Sequence, residues 1–408
     1  MSYVPRDVHR RELGGPDPLD RRLGAPRVSA VGWLLTLLRT RSALGLAPSL
    51  TPAVIFLPVG ALLGPRMLGA LSPTMLGHLD LAVSVALAII GMLVGLAFGR
   101  EVRSAPRLFA AASLESLVTI AALAATTMYF VRHTGVPIAA PLLLAALALG
   151  LCASASSATS ADPDSEPAAA VATRVADLDD VLPIAGATII SVLLPSVSGR
   201  EAWMLGLAPI GIGVAVGAIG WLLFERAGSG GERAVFVLGT LGMTAGASAY
   251  LHVSPLTSGL VAGFCWTIAP GRADRIVQED LAKVQHPLVV LLLVTAGALW
   301  RPTAASIWLL APYLLFRLAG KVAGAWASAG LADARPADLA AYLMPPGVLA
   351  IAFVLNFTQL LTPEAGDTLL STVAIGTAAF ELFALAVVPR WRPAPPPAVQ
   401  PNVVEGAP

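Results

Sequence analysis

The sequence is poor in charged residues, in lysine and in cysteine. The shortage of charged residues excludes a soluble globular protein. Only 12% of the 408 residues are charged, against about 25% in soluble domains, whereas 56% are hydrophobic. A soluble core of this size could not bury so much apolar material, so most of the chain is expected to face lipid or other helices. The net charge of +1 gives no strongly basic surface, and we expect no nucleic-acid partner.

The chain contains only two cysteines, and they do not indicate a redox compartment. Cys152 and Cys265 lie in different apolar segments, where they are typical of small core residues. Residues 1–27 are polar and rich in arginine, with no short apolar region and cleavage site close behind, so we expect a cytoplasmic tail rather than a signal peptide.

Apolar runs of about the length needed to cross a bilayer recur along the chain. A helical span requires about 20 residues, and Val31–Leu38 is too short, so we place that stretch at the membrane interface. We predict twelve transmembrane segments, at approximately residues 46–63, 79–98, 107–131, 138–159, 170–196, 202–224, 233–251, 255–269, 285–300, 306–331, 337–358 and 367–388.

The distribution of basic residues supports this count. With the N-terminus inside, 20 of the 26 Arg and Lys residues fall on the inner side. Two more, Arg317 and Lys321, lie within a segment. The four on the outer side are Arg66, Arg132, Arg200 and Arg301. Cytoplasmic loops carry the excess of positive charge, and one miscounted helix would scramble the asymmetry.

Charged residues within the segments are few, and such residues are costly in a membrane and usually functional. Counted from the inner face at about 1.5 Å per residue, Lys321 lies at the depth of the aspartates of the fifth segment, and pairing would lower the burial cost of both. A purely structural ion pair is the competing reading, and it is favoured for the glutamates. The candidates are Asp177, Asp179 and Asp180 in the fifth segment, Arg317 and Lys321 in the tenth, Glu115 in the third and Glu381 in the twelfth.

Two segments carry signals of a broken helix. The fourth ends in a run of serine and threonine that includes Thr159 and Ser160, and the eleventh contains Met344-Pro345-Pro346-Gly347. Proline and glycine within a span free backbone carbonyls and amides. Discontinuous helices at matching positions of two inverted repeats mark ion sites in transporters, and a separation of seven segments gives the opposite orientation that such repeats require.

Eight stretches resemble the monovalent cation:proton antiporter-2 family, the Kef-type and sodium/hydrogen exchanger-like membrane antiporters. The resemblance implies an all-α polytopic membrane protein with about 12 transmembrane helices and the inverted-repeat sodium/proton antiporter fold, with two discontinuous helices crossing at the midplane. The stretches are Pro58–Pro65, Leu87–Phe98, Ala158–Ser160, Leu178–Leu182, Ser254–Gly263, Arg317–Gly324, Pro346–Gly347 and Phe380–Glu381.

The function implied by the resemblance is secondary active exchange of Na⁺, K⁺ or Li⁺ for protons by alternating access, without enzyme activity and without a cofactor beyond the transported ions. Asp180 would bind the cation and exchange it for protons, and Asp179 would pair with a base on the tenth segment. That base would be Lys321, with Arg317 as its competitor. Thr159 and Ser160 would line the site, whereas Asp177, Glu115 and Glu381 are further candidates only by their charge within the segments.

The resemblance also implies a homodimer in the bacterial cytoplasmic (inner) membrane, with both termini cytoplasmic. Core helices would move against dimerisation helices within one antiporter domain. The implied boundaries are 46–390 for this domain, about 107–196 and 306–388 for the core, about 46–98 and 255–300 for dimerisation, and 1–45 and 391–408 for the cytoplasmic tails.

Other functions remain open at this point. A carrier with the same fold could move an organic anion, which would require polar or basic groups in an outward cavity. A membrane sensor or scaffold that transports nothing is a third reading. An intramembrane enzyme is disfavoured, because the sequence has no paired-histidine metal motif and Ser198-Gly199 has no base nearby in the sequence.

Overall fold

The structure, a computed structural model, describes residues 52–133, 150–152, 154–155, 167–193, 202–358 and 361–391, and its regular elements are α-helices. The first six helices are α1 (Pro52–Leu63), α2 (Pro73–Ser104), α3 (Pro106–His133), α4 (Pro167–Asp179), α5 (Val181–Leu193) and α6 (Ala202–Arg226). The next seven are α7 (Gly230–Leu251), α8 (Pro255–Ile268), α9 (Ala273–Ala298), α10 (Ala304–Ala332), α11 (Pro336–Leu343), α12 (Val348–Thr358) and α13 (Pro363–Trp391).

These helices follow the apolar segments predicted from the sequence. Within the described residues six of them, α2, α3, α6, α7, α9 and α10, are long and apolar enough to cross a membrane, and α1, α8 and α12 are shorter apolar helices. The all-helical membrane architecture therefore matches the prediction. The count of twelve spans stays a prediction, because most of the segment at 138–159 lies outside the described residues, as do Val31–Leu38 and nearly all of both tails.

Proline and serine determine where two central helices begin. Helix α2 starts at Pro73 and α8 at Pro255, positions in the first turn where the missing N–H of proline costs nothing. Ser72 and Ser254 precede them, and each side chain accepts a hydrogen bond of 3.2 Å from the amide three residues further on. These caps satisfy backbone donors that neither lipid nor the helix itself could satisfy.

Glycines bring pairs of helices into backbone contact. A Cβ atom at Gly91 or Gly95 of α2 would overlap carbonyl oxygens of α8, and a Cβ atom at Gly259 or Gly263 of α8 would overlap carbonyl oxygens of α2. Gly60 of α1 meets the backbone of α9 in the same way. Because lipid tails are as apolar as the side chains, close van der Waals packing through small residues is what holds membrane helices together.

Two predicted spans are broken in the middle. Helices α11 and α12 are separated by residues 344–347, which confirms the break predicted from Pro345-Pro346-Gly347. A second break, which we did not predict, separates α4 from α5 at Asp180. Its cause is Pro183, which lies in the first turn of α5 and whose ring excludes the carbonyl group of the residue four positions earlier.

Candidate functional site

A single buried lysine holds two carboxylates near the break between α4 and α5. Lys321 of α10 is 1% exposed, and its Nζ lies 2.9 Å from Oδ2 of Asp179 and 3.1 Å from Oε1 of Glu115. Both carboxylate residues are buried, at 1% and 0% exposure. Charges removed from water to this extent are stable only when they are paired and hydrogen-bonded, so the three groups form one electrostatic unit.

Hydroxyl groups of α3 complete this unit. Thr119 Oγ1 donates to Oε1 of Glu115 at 3.0 Å, and Ser116 Oγ donates to the backbone carbonyl of Asp179 at 3.0 Å. The glutamate therefore keeps a fixed position beside Lys321. Glu115 was a secondary candidate in the sequence, where a structural role was favoured, and the structure places it directly on the lysine.

Two glycines that flank Lys321 allow α10 to approach α3 this closely. A Cβ atom at Gly324 would lie 2.8 Å from the carbonyl oxygen of Glu115 and 3.1 Å from its Cγ, and a Cβ atom at Gly320 would lie 3.1 Å from Cα of Thr119. Any larger side chain would push the helices apart and lengthen the contact between Lys321 and Glu115.

Gly324→Ala is expected to destabilise the protein by about 1–3 kcal/mol, because the added methyl group overpacks a backbone contact. Gly330→Ala is the matched control, since Gly330 lies on the same helix with no atom within 4 Å of its Cβ direction. Alanine there should be neutral or stabilising by up to about 1 kcal/mol. Thermal unfolding of the two purified variants measures the difference, and equal midpoints would contradict this account of the interface.

Residues 154–155, in the predicted fourth segment, cross the break between α11 and α12 beside this unit. Ala155 and Pro346 form an isolated antiparallel β-bridge, and the amide of Gly347 donates to the carbonyl of Ser154 at 3.3 Å. A Cβ atom at Gly347 would lie 2.6 Å from the carbonyl oxygen of Ala155, so only glycine fits this approach. The amide of Ala155 also donates to Oδ2 of Asp179 at 3.1 Å, which ties the crossing to α4.

Arg317 has a different partner from the one that the sequence left open for it. Its guanidinium is fully buried and donates to the carbonyls of Cys152 at 2.8 Å and Ser154 at 2.6 Å, with its Cζ 5.6 Å from the ring centre of Phe380. Carbonyls at the end of a helix carry partial negative charge, which the guanidinium offsets. Of the two candidate bases, Lys321 is therefore the one that pairs with an aspartate in the described residues.

Asp180 is the buried carboxylate without a basic partner at this site. It lies between α4 and α5, is 7% exposed, and its Oδ1 is shielded from solvent with no hydrogen-bond partner among the described residues. The hydroxyl oxygen of Ser154 is also shielded from solvent and has no hydrogen-bond partner among the described residues. Carboxylate and hydroxyl oxygens are the ligands that hard cations prefer.

The charges at the crossing do not balance. Asp179, Asp180 and Glu115 are three carboxylates, whereas Lys321 and Arg317 are two bases. When these five buried groups are all ionised, they carry one excess negative charge in an environment that disfavours net charge, and the half-buried Asp177 adds to the negative potential at Asp180. One proton or one monovalent cation at Asp180 would neutralise it, and the two would then compete for the same carboxylate.

The remaining predicted site residues are not brought to this crossing by the described contacts. Glu381 is 2% exposed, and its Oε2 accepts a hydrogen bond of 3.0 Å from the amide of Val54, in the first turn of α1. Asp177 is half-buried on α4, close enough to Asp180 to interact electrostatically. Thr159 and Ser160 lie outside the described residues.

One polar residue escaped the sequence reasoning altogether. Asn356 is 1% exposed in the apolar helix α12, and neither its Oδ1 nor its Nδ2 has a hydrogen-bond partner among the described residues. Burying an amide in this way costs roughly 1–3 kcal/mol. The signal that could have found it is a lone asparagine in the apolar run from Val348 to Phe357.

Comparison with solved structures finds proteins of similar fold. No protein-family profile and no curated protein sequence match the chain. The fold is similar to that of the sodium proton antiporter MjNhaP1 from Methanocaldococcus jannaschii at pH 8, with a TM-score of 0.60 over 88% of this chain and 97% of that one. At 16% identity the likeness shows the fold, which confirms the predicted antiporter architecture. The Kef-type assignment stays a prediction.

Proposed function

We propose that this protein is a secondary active antiporter that exchanges a monovalent cation, Na⁺, K⁺ or Li⁺, for protons across the membrane. The observation that carries the proposal is the buried carboxylate of Asp180, which has no basic partner among the described residues and directly follows Asp179, the residue bonded to the crossing. A group that must be neutralised by either a proton or a cation couples the two fluxes, because occupancy by one excludes the other. The likeness to a sodium proton antiporter fold supports the same reading.

Each residue of the site has a part in this proposal. Asp180 binds the transported cation or the proton, with Ser154 and the two residues Thr159 and Ser160 supplying further oxygen ligands. Lys321 holds Asp179 in place through their buried ion pair. Arg317 offsets the partial negative charge of the carbonyls of Cys152 and Ser154, so that the crossing persists whether or not a cation is bound.

Alternating access requires groups of helices that move as units, and the glycine contacts between helices suggest such groups. Helices α2 and α8 are joined through reciprocal glycine contacts, as are α1 and α9, and α3 is joined to α10 through Gly320 and Gly324. We infer that the first two pairs belong to a static dimerisation unit and the third to a moving core that carries Lys321 and the aspartates. A homodimer in a bacterial inner membrane is the arrangement that we propose for the assembly.

Relaxation of a pH gradient in inverted membrane vesicles tests the function. Vesicles from a bacterial strain without its own antiporters would be energised, and NaCl, LiCl, KCl and choline chloride would be added in turn. We expect relaxation with at least one of the three small cations and none with choline, which cannot reach a buried carboxylate between packed helices. No response to any of the three from a well-expressed protein would contradict cation:proton antiport.

A further inference from the structure

A cavity at one end of the helix bundle lies away from the proposed ion site. It has a volume of about 230 Å³ and lies between the loop after α1, the first turns of α2 and the residues that follow α9. The charge pattern of the sequence places this end on the outer side. Four polar side chains line the cavity together with apolar ones, and they are Arg66, Asp80, Trp300 and Arg301.

The polar groups of this cavity have unused bonding capacity. The Nε1 of Trp300 is shielded from solvent and has no hydrogen-bond partner among the described residues. Arg301 has only a loose ion pair, 3.9 Å from Asp367, and Arg66 interacts electrostatically with the same carboxylate. Neither Arg66 nor Asp80 has an ion-pair partner within 4 Å in the described part of the chain. The cavity thus presents two cationic groups and one anionic acceptor.

The surroundings of the cavity are apolar and exposed. The loop after α1 is ordered by backbone hydrogen bonds, among them Leu71 N to Leu63 O at 2.8 Å. It holds Met67 63% exposed and Leu68 72% exposed. Apolar side chains beside charged groups at the ends of membrane helices are typical of the boundary between acyl chains and headgroups, where tryptophan is also enriched.

We propose that this cavity binds the headgroup of a zwitterionic aminophospholipid of the outer leaflet. The phosphate lies against Arg66 and Arg301, and the primary ammonium donates to Asp80. The acyl chains run over Met67 and Leu68 in the loop after α1. An anionic headgroup without a cation would leave Asp80 unpaired near the phosphate, and a trimethylammonium group has no N–H to donate to it.

Lipid binding to the purified full-length protein tests this proposal. Native mass spectrometry and thermal unfolding would be measured with phosphatidylethanolamine, phosphatidylcholine and phosphatidylglycerol of identical acyl chains. We expect phosphatidylethanolamine to bind about tenfold tighter than either of the others. Asp80→Asn should abolish that preference. The double variant Arg66→Gln, Arg301→Gln should weaken the binding of all three lipids.

Controls separate the cavity and the lipid from other sources of binding. Arg132→Gln, which removes an exposed arginine outside the cavity, should leave the binding of phosphatidylethanolamine unchanged. Tightest binding of phosphatidylglycerol, or unchanged binding in the double arginine variant, would overturn the proposal. So would equally tight binding of soluble glycerophosphoethanolamine, because the cavity would then be a site for a free phosphate ester. Since the readout is binding, the result is independent of cation transport.

Discussion

Asp180→Asn is expected to abolish cation-dependent proton exchange without loss of stability. The substitution keeps the shape of the side chain and removes the one buried carboxylate at the crossing that has no basic partner. Loss of a charged ligand costs about 2 kcal/mol or more, so cation affinity should fall by roughly 30-fold or more. The folded state no longer contains an uncompensated charge, and its stability should equal or exceed that of the wild type.

Two measurements on the same variant distinguish a transport role from a structural one. Vesicle exchange reports the loss of transport, and thermal unfolding with and without the cation reports the loss of binding, since a ligand raises stability according to its concentration and affinity. Asp333→Asn is the matched control, because Asp333 is an exposed carboxylate that directly follows α10 and forms no ion pair among the described residues. Retained exchange in Asp180→Asn would remove the basis of the proposed mechanism.

Depth along the membrane normal could be predicted from the sequence, and it identified Lys321 and the aspartates correctly as neighbours. Each lies nine to ten residues from the inner end of its predicted segment, which corresponds to about 14 Å. The same count applied to Glu115, nine residues after the start of α3 at Pro106, gives the same depth. The ion pair between Glu115 and Lys321 was therefore within reach of sequence reasoning, which favoured a structural role for that glutamate.

Rotation about each helix axis and the course of the broken segments could not be predicted. Arg317 and Lys321 lie four residues apart on one face of α10, so nothing in their spacing shows that one faces backbone carbonyls and the other a carboxylate. That difference arises because residues 152, 154 and 155 are not helical, which leaves the carbonyls of Cys152 and Ser154 open to Arg317. The break at Asp180 is the exception, because Pro183 could have predicted it. The lack of hydrogen-bond partners for Asn356 within the described residues depends on which side chains lie next to it, and the sequence does not show that.

Lys321→Met is expected to be the most destabilising of the substitutions considered. It keeps the length and apolar stem of the side chain but leaves Asp179 and Glu115 buried together without their cation. Removal of one partner from a buried pair costs about 3–5 kcal/mol. Thermal unfolding of purified protein would show the loss as a markedly lower midpoint. A loss below about 1 kcal/mol would contradict the description of Lys321, Asp179 and Glu115 as one electrostatic unit.

A double variant separates the cost of the unpaired charge from the cost of lost packing, and Lys321→Arg tests the role of the lysine in proton exchange. Lys321→Met combined with Asp179→Asn removes one of the two stranded carboxylates, and it should recover part of the stability while leaving exchange inactive. Lys321→Arg keeps a positive charge between Gly320 and Gly324, but a guanidinium does not release its proton at usable pH. A stable Lys321→Arg protein that binds the cation and no longer exchanges it for protons would assign proton release to the lysine; normal exchange would confine Lys321 to holding Asp179 and Glu115 in place.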